Sequence, residues 1–242
     1  MTLPGIYLPL FNSVTENSVP LSIEKFHHFT RVMRMKSGVR MYVTNGKGLS
    51  CVGQLIVTGK KSADIQFIKG TEKTHIRKFE INLAVGLSRD NAFETLLRQS
   101  VEMGISKIIP VSFENSTLST TIFNSRIDRF ERILETAVEQ TRAPFIPEIM
   151  PLHTPPELIN ENFFQKGFLF HEDASLFPSG EDFNSICKPL ILIGPEGGIT
   201  EGEVELLSEG GFLLRRLPGN ILKVDTACLS ASTIVSYNLS IN

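Results

Sequence analysis

The sequence has few cysteines: only Cys51, Cys187 and Cys228 occur in 242 residues, and they lie far apart. This odd, dispersed set argues against a disulfide framework, and without a C-x-x-C pair the chain lacks the thiolate spacing of a zinc site. Apolar runs are short, since none approaches the roughly 18 residues that a membrane helix needs, and no basic segment precedes the apolar N-terminal stretch. We therefore expect a cytoplasmic protein with reduced thiols, without a targeting segment and without a membrane partner.

Several motifs of nucleotide and ester chemistry are also absent. No lysine follows a glycine loop at P-loop spacing, no G-x-G-x-x-G follows the apolar run at 81–87, and no G-x-S-x-G occurs. These absences argue against nucleotidase, dehydrogenase and hydrolase functions. The histidines of His27-His28 and His171-Glu172-Asp173 lack the spacing of metal ligands, so we expect packed or solvent-facing histidines and no metal site. Core positions rather than base-stacking roles are expected for four phenylalanines: Phe168, Phe170, Phe177 and Phe183.

The formal net charge of −2 hides an asymmetry along the chain. Residues 1–78 contain 12 Lys and Arg against 4 Asp and Glu, a balance of +8, whereas residues 79–242 contain 12 against 22, a balance of −10. A basic N-terminal third suggests that this part binds a polyanion such as nucleic acid. A solvated lysine-rich surface would have the same composition, so charge alone leaves both interpretations open.

The first third of the chain has the pattern of short strands separated by turns. Asn45-Gly46 separates the runs 38–44 and 49–57, which is a hairpin signal, and a third run at 63–68 alternates with period two. These runs predict a small β-barrel, followed by a polar linker at 70–78. We therefore place a first domain at residues 1–72 and a second at residues 73–242.

From Phe79 onward, strands alternate with helices. Apolar runs predict strands at 81–87, 105–111, 167–170, 190–193 and 212–217. Helices are predicted to begin at Asp90 or Asn91, at Ser125, after Thr200 through a capping box with Glu203, and at Asp225 or Thr226. The predicted fold class is therefore α/β with a parallel sheet.

Two loops of the second domain carry glycines at a strand end. The segment 194–198 reads Gly-Pro-Glu-Gly-Gly between a buried strand and a capped helix, and its glycines, Gly197 in particular, permit positive φ and close approach of a ligand. The segment 217–227 follows the next predicted strand in the same way. The two loops are predicted to form two walls of one pocket. Tight turns without a ligand are the alternative, in which Asp225 caps a helix and Lys223 is a surface charge.

These loops and three further segments resemble the RsmE-type ribosomal RNA methyltransferases of the SPOUT superfamily. The matching segments are HHFTRVMRMKSG at 27–38, EMGI at 102–105, Ala137, Glu139 and Gln140 with Pro147, IGPEGGITEGE at 193–203, and LPGNILKVDTA at 217–227. They follow in order and cover most of the chain. The combination is specific, although each segment alone is not.

The resemblance implies a SPOUT fold, in which a trefoil-knotted, parallel-sheet methyltransferase domain is preceded by a small PUA-like β-barrel that binds RNA. It also implies a homodimer that uses S-adenosylmethionine to methylate N3 of a uridine in small-subunit (16S-type) ribosomal RNA, either free or in the small ribosomal subunit. S-adenosylmethionine carries a sulfonium cation and no phosphate, which suits the acidic second domain.

The resemblance assigns cofactor binding to the two loops, at Gly194, Pro195, Glu196, Gly197, Gly198, Leu217, Gly219, Asn220, Ile221, Leu222, Thr226 and Ala227. Methyl transfer needs in-line approach of the uracil nitrogen, and the N3 proton must leave to a base or the resulting charge must be stabilised by a cation. Arg142, Lys223 and Asp225 are the candidates for these catalytic roles. Contacts to RNA phosphates are expected from Lys25, Arg31, Arg34, Lys36, Arg40, Lys60 and Lys61.

The catalytic candidates depart from the family pattern. Lys223 stands where the family has arginine, Asp225 stands where it has glutamate, and Arg142 lies one position before the usual arginine, whose place Ala143 takes. Lysine lacks the planar fork of arginine, and aspartate has a shorter reach than glutamate. Two alternative functions follow: a non-catalytic or weakly active RNA-binding protein of ribosome assembly, and a SPOUT methyltransferase with another RNA target.

Overall fold

The computed structural model describes residues 3–13, 17–88 and 90–241, apart from the side chains of residues 90 and 91. The chain forms two compact units. The first comprises Met1–Ile76 and Glu135–Ile146, and the second comprises Arg77–Leu134 and Pro147–Asn242. The first unit therefore extends beyond the predicted boundary at residue 72 and includes a segment from the middle of the chain, which the sequence assigned to the second domain.

A six-stranded sheet forms the centre of the first unit. Its strands are β1 (Gly5–Tyr7), β2 (Ser18–Pro20), β3 (Arg40–Thr44), β4 (Leu49–Gly59), β5 (Ser62–Phe67) and β6 (Lys73–Thr74). They pair in the order β1-β3-β4-β5-β2. Strand β6, which lies in the predicted linker at 70–78, pairs with β4. The three predicted runs form β3, β4 and β5, whereas β1, β2 and β6 are too short for their periodicity to be recognised in the sequence. Alternating residues of β5, such as Ile65 and Phe67, are buried in the core.

The turn between β3 and β4 explains the hairpin signal. Asn45 Oδ1 accepts hydrogen bonds from the backbone N–H groups of Lys47 and Leu49, at 2.8 and 3.0 Å. Gly46 and Gly48 both have positive φ, 69° and 96°, which a residue with a side chain rarely adopts. After β2, helix α1 (Ile23–His27) and a π-helical turn (His28–Val32) complete this part of the unit.

The sheet of the second unit is parallel throughout. Its strands are β7 (Asn82–Gly86), β8 (Lys107–Val111), β9 (Glu148–Ile149), β10 (Lys166–Phe170), β11 (Pro189–Ile193) and β12 (Leu213–Arg215), which pair in the order β12-β10-β11-β7-β8-β9. All five residues of β11 are buried, as its apolar run predicts. The α/β fold class is confirmed, and the carboxyl ends of all these strands lie at one edge of the sheet.

Helices connect these strands. They are α2 (Asp90–Glu102), α3 (Thr120–Asn124), α4 (Ile127–Thr141), α5 (Pro155–Ile159), α6 (Glu201–Glu209) and α7 (Val224–Ile241), with a 3₁₀ turn at Gly180–Phe183. Thr200 and Glu203 form the predicted capping box of α6, whereas Ser125 ends α3 instead of beginning α4. The predicted cap of α2, at Asp90 or Asn91, lies outside the described side chains. Within the described ranges, no helix is long and apolar enough to span a bilayer.

The last residues of α4 belong to the first unit because they pack on β1. The Glu139 carboxylate accepts hydrogen bonds from the Tyr7 backbone N–H at 3.1 Å and from Lys25 Nζ at 2.5 Å. A Cβ atom at Gly5 would overlap the carbonyl of Glu139, so only glycine permits this approach. These partners are 114 to 132 residues apart in the sequence, which is why local patterns did not predict them.

Candidate functional site

A cavity of the second unit lies at the carboxyl ends of β10, β11 and β12. Its volume is about 640 Å³, within the range of small-molecule sites. Three chain segments line it: residues 170–172 after β10, residues 193–199 after β11, and residues 216–224 after β12, without Pro218. Ala227 of α7 completes the wall. This is the edge at which open parallel sheets bind ligands.

The loop after β11 is held by close backbone packing. A Cβ at Gly86, the last residue of β7, would overlap the backbone of Pro195, and a Cβ at Gly197 would lie 2.6 Å from the carbonyl oxygen of Asn115. The Glu203 carboxylate of the α6 cap also accepts the backbone N–H of Glu114 at 2.9 Å. The loop can therefore occupy this position only because residues 86 and 197 are glycines.

Positive φ in this loop occurs at Gly198, where φ is 79°. The prediction that it would be needed at Gly197 is wrong, because Gly197 is required for its approach to Asn115 and has no positive φ. Gly198 N–H donates to the Pro195 carbonyl at 3.0 Å and closes a four-residue turn. The turn precedes Thr200, the N-cap of α6.

The loop after β12 is open by comparison. Gly219 has φ of 102°, and a Cβ there would meet no atom within 4 Å. Ile221 is 82% exposed and Leu222 is half-buried, so the loop presents apolar surface at the cavity. The loop ends where α7 begins, and Ala227 N–H donates to the Lys223 carbonyl at 2.8 Å.

The structure brings together most of the residues that the resemblance assigned to the cofactor. Eleven of them line the cavity: Gly194, Pro195, Glu196, Gly197, Gly198, Leu217, Gly219, Asn220, Ile221, Leu222 and Ala227. Thr226 does not line it; its backbone N–H donates to Asp225 Oδ1 at 2.8 Å in the first turn of α7. The two loops do not follow adjacent strands, as β10 lies between β11 and β12.

The segment after β10 is therefore a third wall, which sequence reasoning missed. His171 and Glu172 line the cavity. The His171 ring nitrogen Nδ1 accepts the backbone N–H of Asp173 at 3.3 Å, and Glu172 is exposed. The sequence does contain a signal for this wall: His171 and Glu172 directly follow an apolar strand of the same type as the strand before Gly194.

The three catalytic candidates have different local surroundings. Lys223 lines the cavity, and Asp225 does not. Arg142 lies in the first unit. It follows α4 with φ of 57°, and Ala143 N–H donates to the Val138 carbonyl, which is the hydrogen-bond pattern of a Schellman helix end. Arg142 therefore occupies a position that usually favours glycine, and its local role is to end the helix.

The predicted phosphate-binding residues differ among themselves. Lys25 is paired with Glu139 at 2.5 Å, and its side chain is 23% exposed, so its charge is used within the unit. The others are exposed: Arg31, Arg34, Lys36, Arg40, Lys60 and Lys61. Arg34 has positive φ, 54°, and follows Met33, the C-cap of the π-helical turn.

The thiols and phenylalanines also divide by burial. Burial raises the pKa of Cys51 to about 12 and raises that of Cys228, so both thiols are protonated at neutral pH, whereas Cys187 is exposed. Within the described part of the chain no three potential metal ligands cluster. The core prediction is confirmed for Phe168, Phe170 and Phe183. It is wrong for Phe177, which is 55% exposed in the loop after β10.

An ion pair between the buried Asp182 and the half-buried Arg215 holds the strand before the second loop. Arg215 Nε and Nη2 donate to the two carboxylate oxygens of Asp182 at 2.8 and 2.5 Å, and the Ser179 N–H donates to the same carboxylate at 3.0 Å. The side chain of Asp182 is 9% exposed and that of Arg215 is 13% exposed. The guanidinium holds the pKa of Asp182 below its ordinary value, and the carboxylate raises the pKa of Arg215.

Comparison with known proteins accounts for this arrangement. A family model described as an RNA methyltransferase domain matches residues 75–236, and one described as an RNA methyltransferase PUA domain matches residues 22–68. The ribosomal RNA small subunit methyltransferase E of Bacillus subtilis is 27% identical over 243 residues, covering 96% of this chain and 95% of the relative. Its counterpart from Buchnera aphidicola subsp. Acyrthosiphon pisum is 28% identical over 220 residues, covering 88% and 85%.

A solved structure shows the same fold. The crystal structure of ribosomal RNA small subunit methyltransferase E from Neisseria gonorrhoeae bound to S-adenosyl methionine matches with a TM-score of 0.85 and 25% identity, covering 98% of each chain. That bound ligand agrees with the predicted cofactor. The predicted resemblance to the RsmE-type enzymes is confirmed, as is the PUA-like N-terminal part. With two thirds of its length matched by the methyltransferase model, this chain belongs to the RNA methyltransferase family.

Proposed function

We propose that this protein transfers a methyl group from S-adenosylmethionine to N3 of a uridine in small-subunit ribosomal RNA. The observation that carries the proposal is the cavity of about 640 Å³ that the two glycine loops and the segment after β10 line at the strand ends. The names of the relatives support a ribosomal RNA substrate, and the ligand of the neisserial structure supports the cofactor. The choice of uridine N3 follows from the resemblance of the motifs.

The cavity fits such a cofactor by size and by chemistry. The glycine-rich loop at 194–198 forms one wall of the cavity, and the apolar residues Ile193, Ile221 and Leu222 also line it. Exposed carboxylates at Glu172 and Glu196 suit a ligand with a sulfonium and an ammonium group. We propose that the lining residues of the two loops bind the cofactor, with His171 and Glu172 as additional contacts.

The cofactor supplies an electrophilic methyl group. When it reacts, the sulfur–methyl bond breaks as the bond to uracil N3 forms, and the N3 proton leaves the base. The protein has to align the uracil and manage the negative charge on its oxygens, so most of the rate enhancement comes from positioning. Lys223 is the candidate cation, because it is the one predicted catalytic residue that lines the cavity.

A direct test is methyl incorporation. Purified protein with radiolabelled S-adenosylmethionine is expected to label small-subunit ribosomal RNA from a strain that lacks this methylation, and mapping should locate the label at N3 of one uridine. Label at another atom or in another RNA would show that the proposed target is wrong and that the protein is nevertheless a methyltransferase. Absence of label, with an active relative as control, would contradict the proposal.

The alternative of a non-catalytic RNA-binding protein is favoured by the departures of Lys223, Asp225 and Ala143 from the family pattern, and by Arg142, whose backbone conformation ends a helix. In that case the wild type binds RNA without turnover, and Lys223→Arg together with Asp225→Glu raises activity. A wild-type protein that already turns over normally would contradict this alternative.

We also propose a homodimer that contacts RNA through the exposed basic residues of the first unit. Helix α7 has no charged residue from Thr226 to Ile241, and its exposed side chains include Leu229, Tyr237 and Ile241. An uncharged exposed face of this length suits a second copy of the chain. Light scattering is expected to give a dimer, and Tyr237→Lys should shift it toward monomer. The trefoil knot and the cytoplasmic location implied by the resemblance belong to the same proposal.

A further inference from the structure

The two arginines at the end of β12 have different environments. Arg215 is half-buried and engages both carboxylate oxygens of Asp182. Arg216 is exposed and lines the cavity, and among the residues described its side chain has no hydrogen bond or ion pair. Neither was singled out by the motifs. The structure thus presents one guanidinium that stabilises the fold and a neighbouring one that is free at the cavity.

The backbone at Arg216 is fixed. Its N–H donates to the Leu176 carbonyl at 2.7 Å, and the carbonyl of Arg215 accepts the N–H of His171 at 2.9 Å. The Asp182 ion pair holds the preceding residue from its other side. A free guanidinium on an anchored backbone is suited to ligand binding, because only side-chain freedom is lost when it makes contact.

The charges of the cavity indicate which ligand it binds. Its lining contains the carboxylates of Glu172 and Glu196 and the cations of Arg216 and Lys223. The proposed cofactor has two cationic groups and one carboxylate, whereas RNA has a phosphate at every nucleotide. A uridine whose base enters the cavity brings its own phosphates to the lining residues, among which Arg216 is an exposed cation.

We propose that Arg216 binds a phosphate of the RNA beside the target nucleotide and so positions that nucleotide at the cavity. This inference rests on the proposed RNA substrate. The planar fork of arginine suits a phosphate in two-pronged contact, and the same fork could take the carboxylate of the cofactor. The experiment therefore separates binding of the RNA from binding of the cofactor.

The test compares the wild type with Arg216→Ala and Arg216→Lys. The probes are unmethylated small-subunit ribosomal RNA, free and in assembled subunits, and S-adenosylmethionine alone. RNA affinity is measured by fluorescence anisotropy over a range of salt, cofactor affinity by calorimetry, and KM and kcat by methyl incorporation. Lys188→Ala is the matched control, since Lys188 is an exposed cation of the same unit, paired with Glu80 at 3.0 Å and remote from the lining residues.

For Arg216→Ala we expect an RNA affinity about tenfold lower, a KM for RNA raised to match, and unchanged kcat at saturating RNA. The slope of log affinity against log salt should fall by about 0.7, the value for one phosphate of a single strand. Arg216→Lys should keep most of the salt slope. Cofactor affinity in both variants, and all values for the control, should stay within about twofold of the wild type.

A loss of cofactor affinity in Arg216→Ala would overturn the inference in favour of the cofactor carboxylate. RNA affinity and salt slope that do not change would also overturn it, as would an equal effect in Lys188→Ala. Failure of the proposed function gives a different result, in which the wild type incorporates no methyl group while its RNA binding still depends on Arg216.

Discussion

The loop after β11 packs against backbone, whereas the loop after β12 is open. At Gly197 an added Cβ would lie 2.6 Å from the Asn115 carbonyl oxygen, but at Gly219 it would meet nothing within 4 Å. The first loop is therefore positioned by close packing, which tolerates no added volume. The second is positioned by its backbone conformation and by the ion pair at Arg215, so it should tolerate added volume better than it tolerates loss of its anchor.

The largest effect is expected for Gly197→Val. The new side chain would collide with backbone, the loop would have to move, and affinity for S-adenosylmethionine should fall at least about 100-fold, or roughly 2.7 kcal/mol. Calorimetric titration measures this. Gly202→Ala is the control, because a Cβ at this α6 position meets nothing within 4 Å and affinity should not change. Normal cofactor binding by folded Gly197→Val would refute the idea of a packed wall.

Next comes Asp182→Asn, which removes the anchor of the open loop. Leaving the half-buried Arg215 guanidinium without its carboxylate should lower the free energy of unfolding by about 2 kcal/mol at neutral pH. Urea denaturation measures this loss. Glu181→Gln, an exposed neighbour, is the control and should change stability by less than about 0.5 kcal/mol.

The same pair predicts a pH dependence. Because the pKa of Asp182 is lower in the folded protein than in the unfolded chain, its contribution is complete above the ordinary carboxyl pKa of about 3.9 and is lost as the pH falls through the folded value. The stability difference between the wild type and Asp182→Asn should therefore shrink below about pH 4. A constant difference down to pH 2 would argue against this linkage.

A smaller effect is expected for Gly219→Ala. The residue has φ of 102°, so alanine would be strained by about 1–2 kcal/mol although it has room. Cofactor affinity should fall roughly five- to thirtyfold. Gly104→Ala provides the comparison, since it also has positive φ and free space but does not line the cavity. It should lose stability without losing affinity.

The smallest effect should come from Ile221→Ser. Because Ile221 is 82% exposed, the free energy of unfolding should change by less than about 0.5 kcal/mol. Cofactor affinity should fall by about 1 kcal/mol if the bound ligand covers this apolar side chain. Equal affinity of variant and wild type would show that the open loop binds through its backbone alone.

The sequence predicted what local patterns determine. The capping box of Thr200 and Glu203 and the strand before Gly194 depend on neighbouring residues, and both are as predicted. Since loops continue directly from strand ends, the two glycine segments could be assigned to one cavity. The motifs that resemble the family extended this prediction to ligand and reaction.

Sheet order and long-range pairing escaped prediction because no local pattern encodes them. The position of β10 between β11 and β12 makes His171 a lining residue, and Lys25, a predicted phosphate ligand, is paired with Glu139. Phe177 was predicted in the core from its residue type alone, yet the loop that contains it exposes it. Arg142 was assigned by its place in a motif, and its backbone conformation shows a helix end.

The contact between β1 and the end of α4 also has a consequence for biosynthesis. A ribosome makes Tyr7 early, but the Glu139 that binds its backbone N–H follows 132 residues later. The first unit therefore cannot complete its contacts when residue 76 emerges from the exit tunnel, and a proteolytic fragment that ends there would lack them. In this chain, part of the second unit must be translated before the first can finish folding.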